Sequence, residues 1–293
     1  MRTTFFGALL AVLMVTIMST QGHTLEGAEG GDGPAFASGQ GRPTAGDFHW
    51  RGRLDRGRAI EIKGVNGNIR AEAATGDEVE VIAVKSSSGG NASQVQLKVL
   101  EHEGGVTICA SYPSADPNRA HECRPGDEVQ PGDQPPRSIG LMEFKHNDVQ
   151  VSFTVRVPSQ VRFIGRTIKG DIDATALRSN VEAYTVNGSI HVATSGYARA
   201  RTINGSIDAL LGNADWTEPL QLKTMNGNIN VELPSTASTQ VRAETYHGDI
   251  SLGAQTKVAT EGGLKTASST IGSGERELIL STVRGTINLR RTP

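Results

Sequence analysis

The chain has 293 residues, enough for one large domain or two modest ones, and its formal net charge is −2 from 29 Lys+Arg and 31 Asp+Glu. That balance excludes the basic footprint of a nucleic-acid binder. With 35 Gly and only 4% aromatic residues, the composition suits a thin aliphatic core with many bends.

Residues 1–24 read as a secretory signal peptide. Arg2 supplies the positive start, Phe5 to Met18 is an apolar run, and small residues follow, with cleavage after Ser19 or Gly22. The rival is an uncleaved anchor, but the run is shorter than the roughly 20 residues a span needs. No Cys lies near the cleavage region to take a lipid, and the mature chain shows no other candidate span. Residues 25–47 are rich in Gly, Ala and Ser without apolar periodicity, which predicts a disordered linker. The structured domain is expected over 48–293.

Strand patterns follow. Ala59 to Gly64 alternates and leads into a bend at Asn66-Gly67, and Glu78–Val84, Val95–Leu100 and Gly105–Cys109 are further strands. This half shows no clear repeat and reads as antiparallel or irregular. Across 110–147 the pattern stops among six prolines, which predicts a long surface loop inserted into the domain. The two cysteines, Cys109 and Cys123, bracket its start. In an oxidising compartment a disulfide is the favoured reading; a metal site of Cys109, His121 and Cys123 is the rival, and it lacks an obvious fourth ligand. Val149 to Pro158 is a strongly alternating strand that feeds what comes next.

Over 166–290 one phrase recurs. It reads Thr167-Ile168-Lys169-Gly170-Asp171-Ile172, then Thr185-Val186-Asn187-Gly188-Ser189-Ile190, and returns around Gly205, Gly227, Gly248 and Gly285. A copy without Gly, Thr266 to Ile271, fills the last gap, and an outlying copy surrounds Gly67. Counting Ser269 as a hinge, the steps from Gly170 are 18, 17, 22, 21, 21 and 16 residues. A period near 20 with strand-like flanks signals a repeat architecture. The Gly supplies a sharp bend, and the Ile two places on starts an alternation that buries one strand face. The expectation is an all-β fold, a β-helix-like solenoid whose six steps stand ~29 Å tall at about 4.8 Å each. A hairpin meander or sandwich is the alternative, because Asn-Gly between alternating runs is also a hairpin signal.

Candidate chemistry is sparse. Asp171 and Asp173 share a strand face at roughly 6–7 Å, a spacing open to a glycosidase pair or a Ca²⁺ site, and equally to a solvated surface. Asp249 shares the Asp171 column, four coils away on this count. His191 and His247 fall on different columns, Ser189 and Ser206 have no matched His and Asp, and Asn187, Asn204 and Asn226 read as a structural ladder. Tyr184, Arg201, Lys223, Glu244 and Lys265 form a mixed column four places before each hinge that is expected to face solvent. No cofactor and no metal is expected.

The Thr-x-x-Gly-x-Ile phrase, the leader and the Val151–Pro158 strand together resemble the bacterial putative adhesin family of β-strand repeats, a domain of unknown function. The resemblance spans roughly Ile60 to Leu289 and implies a right-handed β-solenoid, with adhesion implied by the family's name alone. It brings no functional residues. The expected function is a non-enzymatic binding or structural scaffold, exported to the periplasm, cell envelope or medium. Its expected partner is a surface polysaccharide or an envelope protein. A polysaccharide hydrolase or lyase using Asp171 and Asp173 is the alternative.

Overall fold

A computed structural model describes residues 48–89, 91–113, 123–126, 148–212, 218–253 and 256–292. The expected leader at 1–24, the linker at 25–47 and most of the loop at 110–147 lie outside the described residues.

Short alternating runs on either side of a glycine make two-strand coils. β1 (Phe48–Arg53) precedes β2 (Ala59–Lys63) and β3 (Ile69–Ala73), which flank Gly67. β4 (Glu78–Ser86), β5 (Gln96–His102), β6 (Gly105–Ser111) and β7 (Gln150–Val157) follow. Then β8 (Arg162–Arg166) and β9 (Ile172–Leu177) flank Gly170, β10 (Val181–Tyr184) and β11 (Ile190–Thr194) flank Gly188, and β12 (Ala198–Arg201) and β13 (Ile207–Leu211) flank Gly205. β14 (Leu220–Asn226) and β15 (Ile229–Pro234) flank Gly227, and β16 (Thr239–His247) and β17 (Ile250–Ser251) flank Gly248. β18 (Val258–Glu261) and β19 (Leu264–Ile271) make a hairpin, and β20 (Glu277–Arg284) and β21 (Ile287–Thr292) flank Gly285.

Strands before the bends stack into one sheet and strands after them into a second. Between coils the pairing is parallel and in register: Ile190 stands beside both Ile172 and Ile207, and Ile207 beside Ile229. This is a solenoid, not a meander. Antiparallel pairs are confined to the two ends, where β1–β4–β7 and β5–β6 close one and β16–β19–β18 the other. Ile69, Ile172, Ile190, Ile207, Ile229 and Ile287 are fully buried and meet Ile60, Phe163, Val181 and Leu220 from the facing sheet in one aliphatic core. Burying one such side chain contributes about 2 kcal/mol.

The repeated Thr and Gly have a joint physical cause. At the bends the backbones approach so closely that a Cβ on Gly188 would lie 2.0 Å from the Gly170 carbonyl oxygen, and Gly67 has φ +131°. Only glycine fits such an approach. The hinge carbonyl is then satisfied from the next coil by the threonine hydroxyl. Thr167 donates to Gly67, Thr185 to Gly170, Thr202 to Gly188, Thr224 to Gly205, Thr282 to Gly227 and Thr245 to Gly285, all at 2.9–3.2 Å. The six threonines are buried.

Three expectations about coil order are corrected. Ser269 is not a hinge: β19 runs antiparallel to β16, with Ser269 opposite Val241. Its own Cβ would obstruct the carbonyl approach that the bend requires. The Gly67 phrase is no outlier, since its coil stacks directly on the Gly170 coil. Finally, the last two phrases exchange places. In space Gly285 lies between Gly227 and Gly248, because β20 pairs with both β14 and β16 and β21 pairs with both β15 and β17. Asp249 therefore stands five coils from Asp171, ~24 Å at the coil spacing.

Candidate functional site

The bend displays several side-chain columns that run the length of the stack. Two places before each hinge every residue is apolar: Val65, Ile168, Val186, Ile203, Met225, Val283 and Tyr246 in stacking order. The first four are half-buried, whereas Met225, Val283 and Tyr246 are 48%, 37% and 48% exposed on adjacent coils. One place before the hinge, three central coils carry an amide ladder, in which Asn226 Nδ2 donates to Asn204 Oδ1 and Asn204 Nδ2 to Asn187 Oδ1, each at 2.8 Å, while the other coils carry Asn66, Lys169, Arg284 and His247 there. Three places after the hinge, Asn288 donates to Asn230 and Asn230 to Asp208 at 3.0 and 2.7 Å. An apolar column thus runs beside columns of short hydrogen-bonding groups. The sequence reading missed the apolar one, though it is legible as the residue after each Thr.

Asp171 and Asp173 lie on these columns. Asp171 Oδ1 accepts the Ser189 N–H at 2.8 Å, Ser189 Oγ accepts the Ser206 N–H, and Ser206 Oγ accepts the Asn228 N–H, so the position after the hinge fastens one coil to the next. Asp173 stands in register between Arg70 and His191. His191 Nδ1 is 3.3 Å from Asp208 Oδ2, while His247 lies in the column before the hinge, as its position in the phrase predicts. Among the described residues no group of three His, Cys, Asp or Glu is placed to hold a metal ion.

The column four places before the hinge is not a uniform solvated strip. It reads Lys63, Arg166, Tyr184, Arg201, Lys223, Ser281 and Glu244 in stacking order; Lys265 lies instead on β19, with Nζ 2.6 Å from the Gly248 carbonyl and 3.0 Å from Asp249. Tyr184 is buried, with the Arg166 guanidinium 4.3 Å from its ring centroid. Burial and the adjacent Glu182 charge push the Tyr184 phenol above the ordinary tyrosine range. Arg166 Nε donates to buried Glu61 at 2.8 Å, and Glu61 Oε2 accepts from the Thr107 hydroxyl and the Gly126 N–H. Gly126 comes from the loop tied by the Cys109–Cys123 disulfide, with Cα atoms 5.8 Å apart. The disulfide thus holds Gly126 against Glu61, and with the Tyr184 ring over Arg166 an outward-facing ion pair is buried, an arrangement that strand alternation alone cannot reveal.

On the other sheet's outer face, ion pairs join four strands. Glu80 accepts from His49 at 2.8 Å and Arg51 Nε at 2.9 Å, and also pairs with Arg156, which reaches Glu72 at 3.2 Å. Burial alone would raise the Glu80 carboxyl, but hydrogen bonds from Arg51, His49 and Arg156 bring it down to about 2.

Coil stacking, in-register ladders and a glycine bend define the class as a parallel β-solenoid with a ladder-bearing bend. Residues 149–290 match the family described as Toastrack DUF4097, a domain of unknown function. The Gly67 coil lies outside the matched span and still joins the same stack. A solved structure of a putative cell adhesion protein from Clostridium sporogenes ATCC 15579 is similar at 10% identity, covering 84% of this chain and 100% of that one, with a TM-score of 0.42. A putative adhesin from Bacteroides fragilis NCTC 9343 is similar at 9% identity, covering 85% and 99%, with a TM-score of 0.26. No curated protein matches the chain. No helix among the described residues is long and apolar enough to cross a membrane.

Proposed function

We propose that the chain is an exported, non-enzymatic protein of the cell envelope whose bend binds a surface polysaccharide. The observation that carries this reading is the apolar column along the bend, exposed at Met225, Val283 and Tyr246 on adjacent coils and bordered there by Asn226, Arg284 and His247. A sugar ring offers an apolar C–H face and a rim of hydroxyls, and successive rings of a polymer would meet an exposed apolar side chain beside a hydrogen-bonding one on each of these three coils. Export is supported by the disulfide, a bond that persists in oxidising compartments, together with the leader read at 1–24. The test incubates purified 25–293 with a panel of envelope and host polysaccharides and follows retention and new chain ends in the same samples. Retention without cleavage is expected, weakened by Met225→Ser and Tyr246→Ser. Neither signal would point to an envelope protein as partner.

A second reading, a polysaccharide hydrolase or lyase, rests on the two carboxylates of Asp171 and Asp173 on one outer face. New chain ends that disappear in Asp171→Asn would replace the scaffold reading with this one. The variant keeps an oxygen for the Ser189 N–H, so loss of activity would not reflect loss of the bend.

A further inference from the structure

The order of the coils carries a consequence for assembly. β14–Gly227–β15 and β16–Gly248–β17 are consecutive in sequence, yet they are not neighbours in the stack. The space of one coil between them is filled from the C-terminal end by β20–Gly285–β21. This coil has partners on both sides. Thr282 donates to the Gly227 carbonyl, Thr245 donates to the Gly285 carbonyl, and Leu278, Leu280 and Ile287 enter the core. Among the described residues its one connection to another strand outside the coil is the 272–276 turn to β19, so it can enter or leave its slot without drawing another described coil with it.

We propose that this last coil is exchangeable between two copies of the chain, each copy donating its 277–292 segment to the slot of the other. Every contact that holds the segment in its own slot is reproduced in the partner's. The closed monomer and the exchanged pair then differ only at the 272–276 turn, so concentration sets the balance between them. That turn is the part that must open. Gly272 and Gly274 have φ +62° and +71°, and Ser238 Oγ accepts the Ser273 and Gly274 N–H groups at 3.0 and 3.2 Å. The slot selects its occupant, because an incoming strand pair needs glycine at the bend, threonine three places before it and a large aliphatic residue two places after.

The test uses the full chain carrying Asn230→Cys and Asn288→Cys, two exposed-face positions paired directly across the coil boundary. The protein is unfolded, refolded over a series of concentrations, separated by size and only then oxidised. In the closed form the new bridge lies within one chain; in the exchanged form it joins two. The expected result is a dimer fraction that grows with refolding concentration and runs as covalent dimer without reductant. Glu232→Cys with Arg290→Cys, the next outward pair in the same register, repeats the measurement should the first pair disturb the bend. Deleting Ser273 and Gly274, which shortens the turn, is expected to raise the dimer fraction. A dimer whose oxidised chains run only as monomers overturns the proposal, as does a chain that stays monomeric at every concentration.

Discussion

Replacing Thr202 by valine tests the threonine ladder at one coil. The side chain is 1% exposed, and its hydroxyl donates to the Gly188 carbonyl at 2.9 Å. Valine keeps the shape and β-branching and removes only the donor. A net hydrogen bond contributes about 1 kcal/mol, and a buried acceptor left without its partner costs about 1–3 kcal/mol, so the expected loss is about 2 kcal/mol. Equilibrium urea unfolding reads this directly. With a slope of about 3 kcal/mol/M, the upper end for small domains, the midpoint falls by about 0.7 M. Thr202→Ser keeps the hydroxyl and loses a methyl, so it is expected to fall by less. An unmoved Thr202→Val midpoint at unchanged slope, or a Thr202→Ser protein weaker than Thr202→Val, would refute the ladder's role.

The neighbouring glycine should be far less forgiving. A Cβ at Gly205 would stand 1.9 Å from the Gly188 carbonyl oxygen, so Gly205→Ala is expected to cost more than Thr202→Val and to abolish the cooperative urea transition or shift it furthest. Acid should unfold the protein partly through Glu80. Its carboxyl lies near 2 in the fold against 4.5 as the ordinary value, so its contribution is whole above about pH 4.5 and disappears as pH falls toward 2. The full shift corresponds to about 3 kcal/mol, reduced to about 1–2 kcal/mol because its arginine partners are half-exposed; Glu80→Gln should flatten that part of the stability-against-pH curve. Opening the Cys109–Cys123 bridge by Cys109→Ser with Cys123→Ser should cost on the order of 3 kcal/mol in the chain-entropy account. Calorimetry should then show a melting point lower by roughly 6–12 °C.

Much of this architecture was legible because the bend imposes the same demand on every coil. Gly where backbones touch, Thr where a carbonyl lacks a donor, and Ile where the chain turns inward produce identical columns, which a meander does not require. The cysteines were legible from compartment and spacing. The order of the last two coils was not. The phrases around Gly248 and Gly285 carry the same hinge chemistry, so either fits either slot, and the intervening β18–β19 hairpin lets the chain pass one place and return. Ser269 misled the count because Thr266 and Ile271 flank it correctly, although any Cβ at that position already conflicts with the close carbonyl approach. At the candidate site, Glu61 and Arg166 alternate outward as a solvated pair would; the Gly126 N–H and Thr107 on Glu61 and the Tyr184 ring on Arg166 cover them instead. The apolar column at the bend was obscured by its chemical variety, since Val, Ile, Met and Tyr share little beyond their place after Thr.

The out-of-sequence coils at both ends constrain how such a protein can change its length. At one end the Gly67 coil lies between later-made neighbours, and at the other the Gly285 coil lies between earlier ones. A duplicated unit placed beside the Gly67 or the Gly285 coil would have to part coils that are already paired on both sides. One inserted between β8 and β15 simply adds a step, preserving every ladder on both sides. Evolutionary lengthening or shortening is thus directed to the middle of the stack, with the Gly67 and Gly285 coils behaving as fixed brackets around a section of adjustable reach.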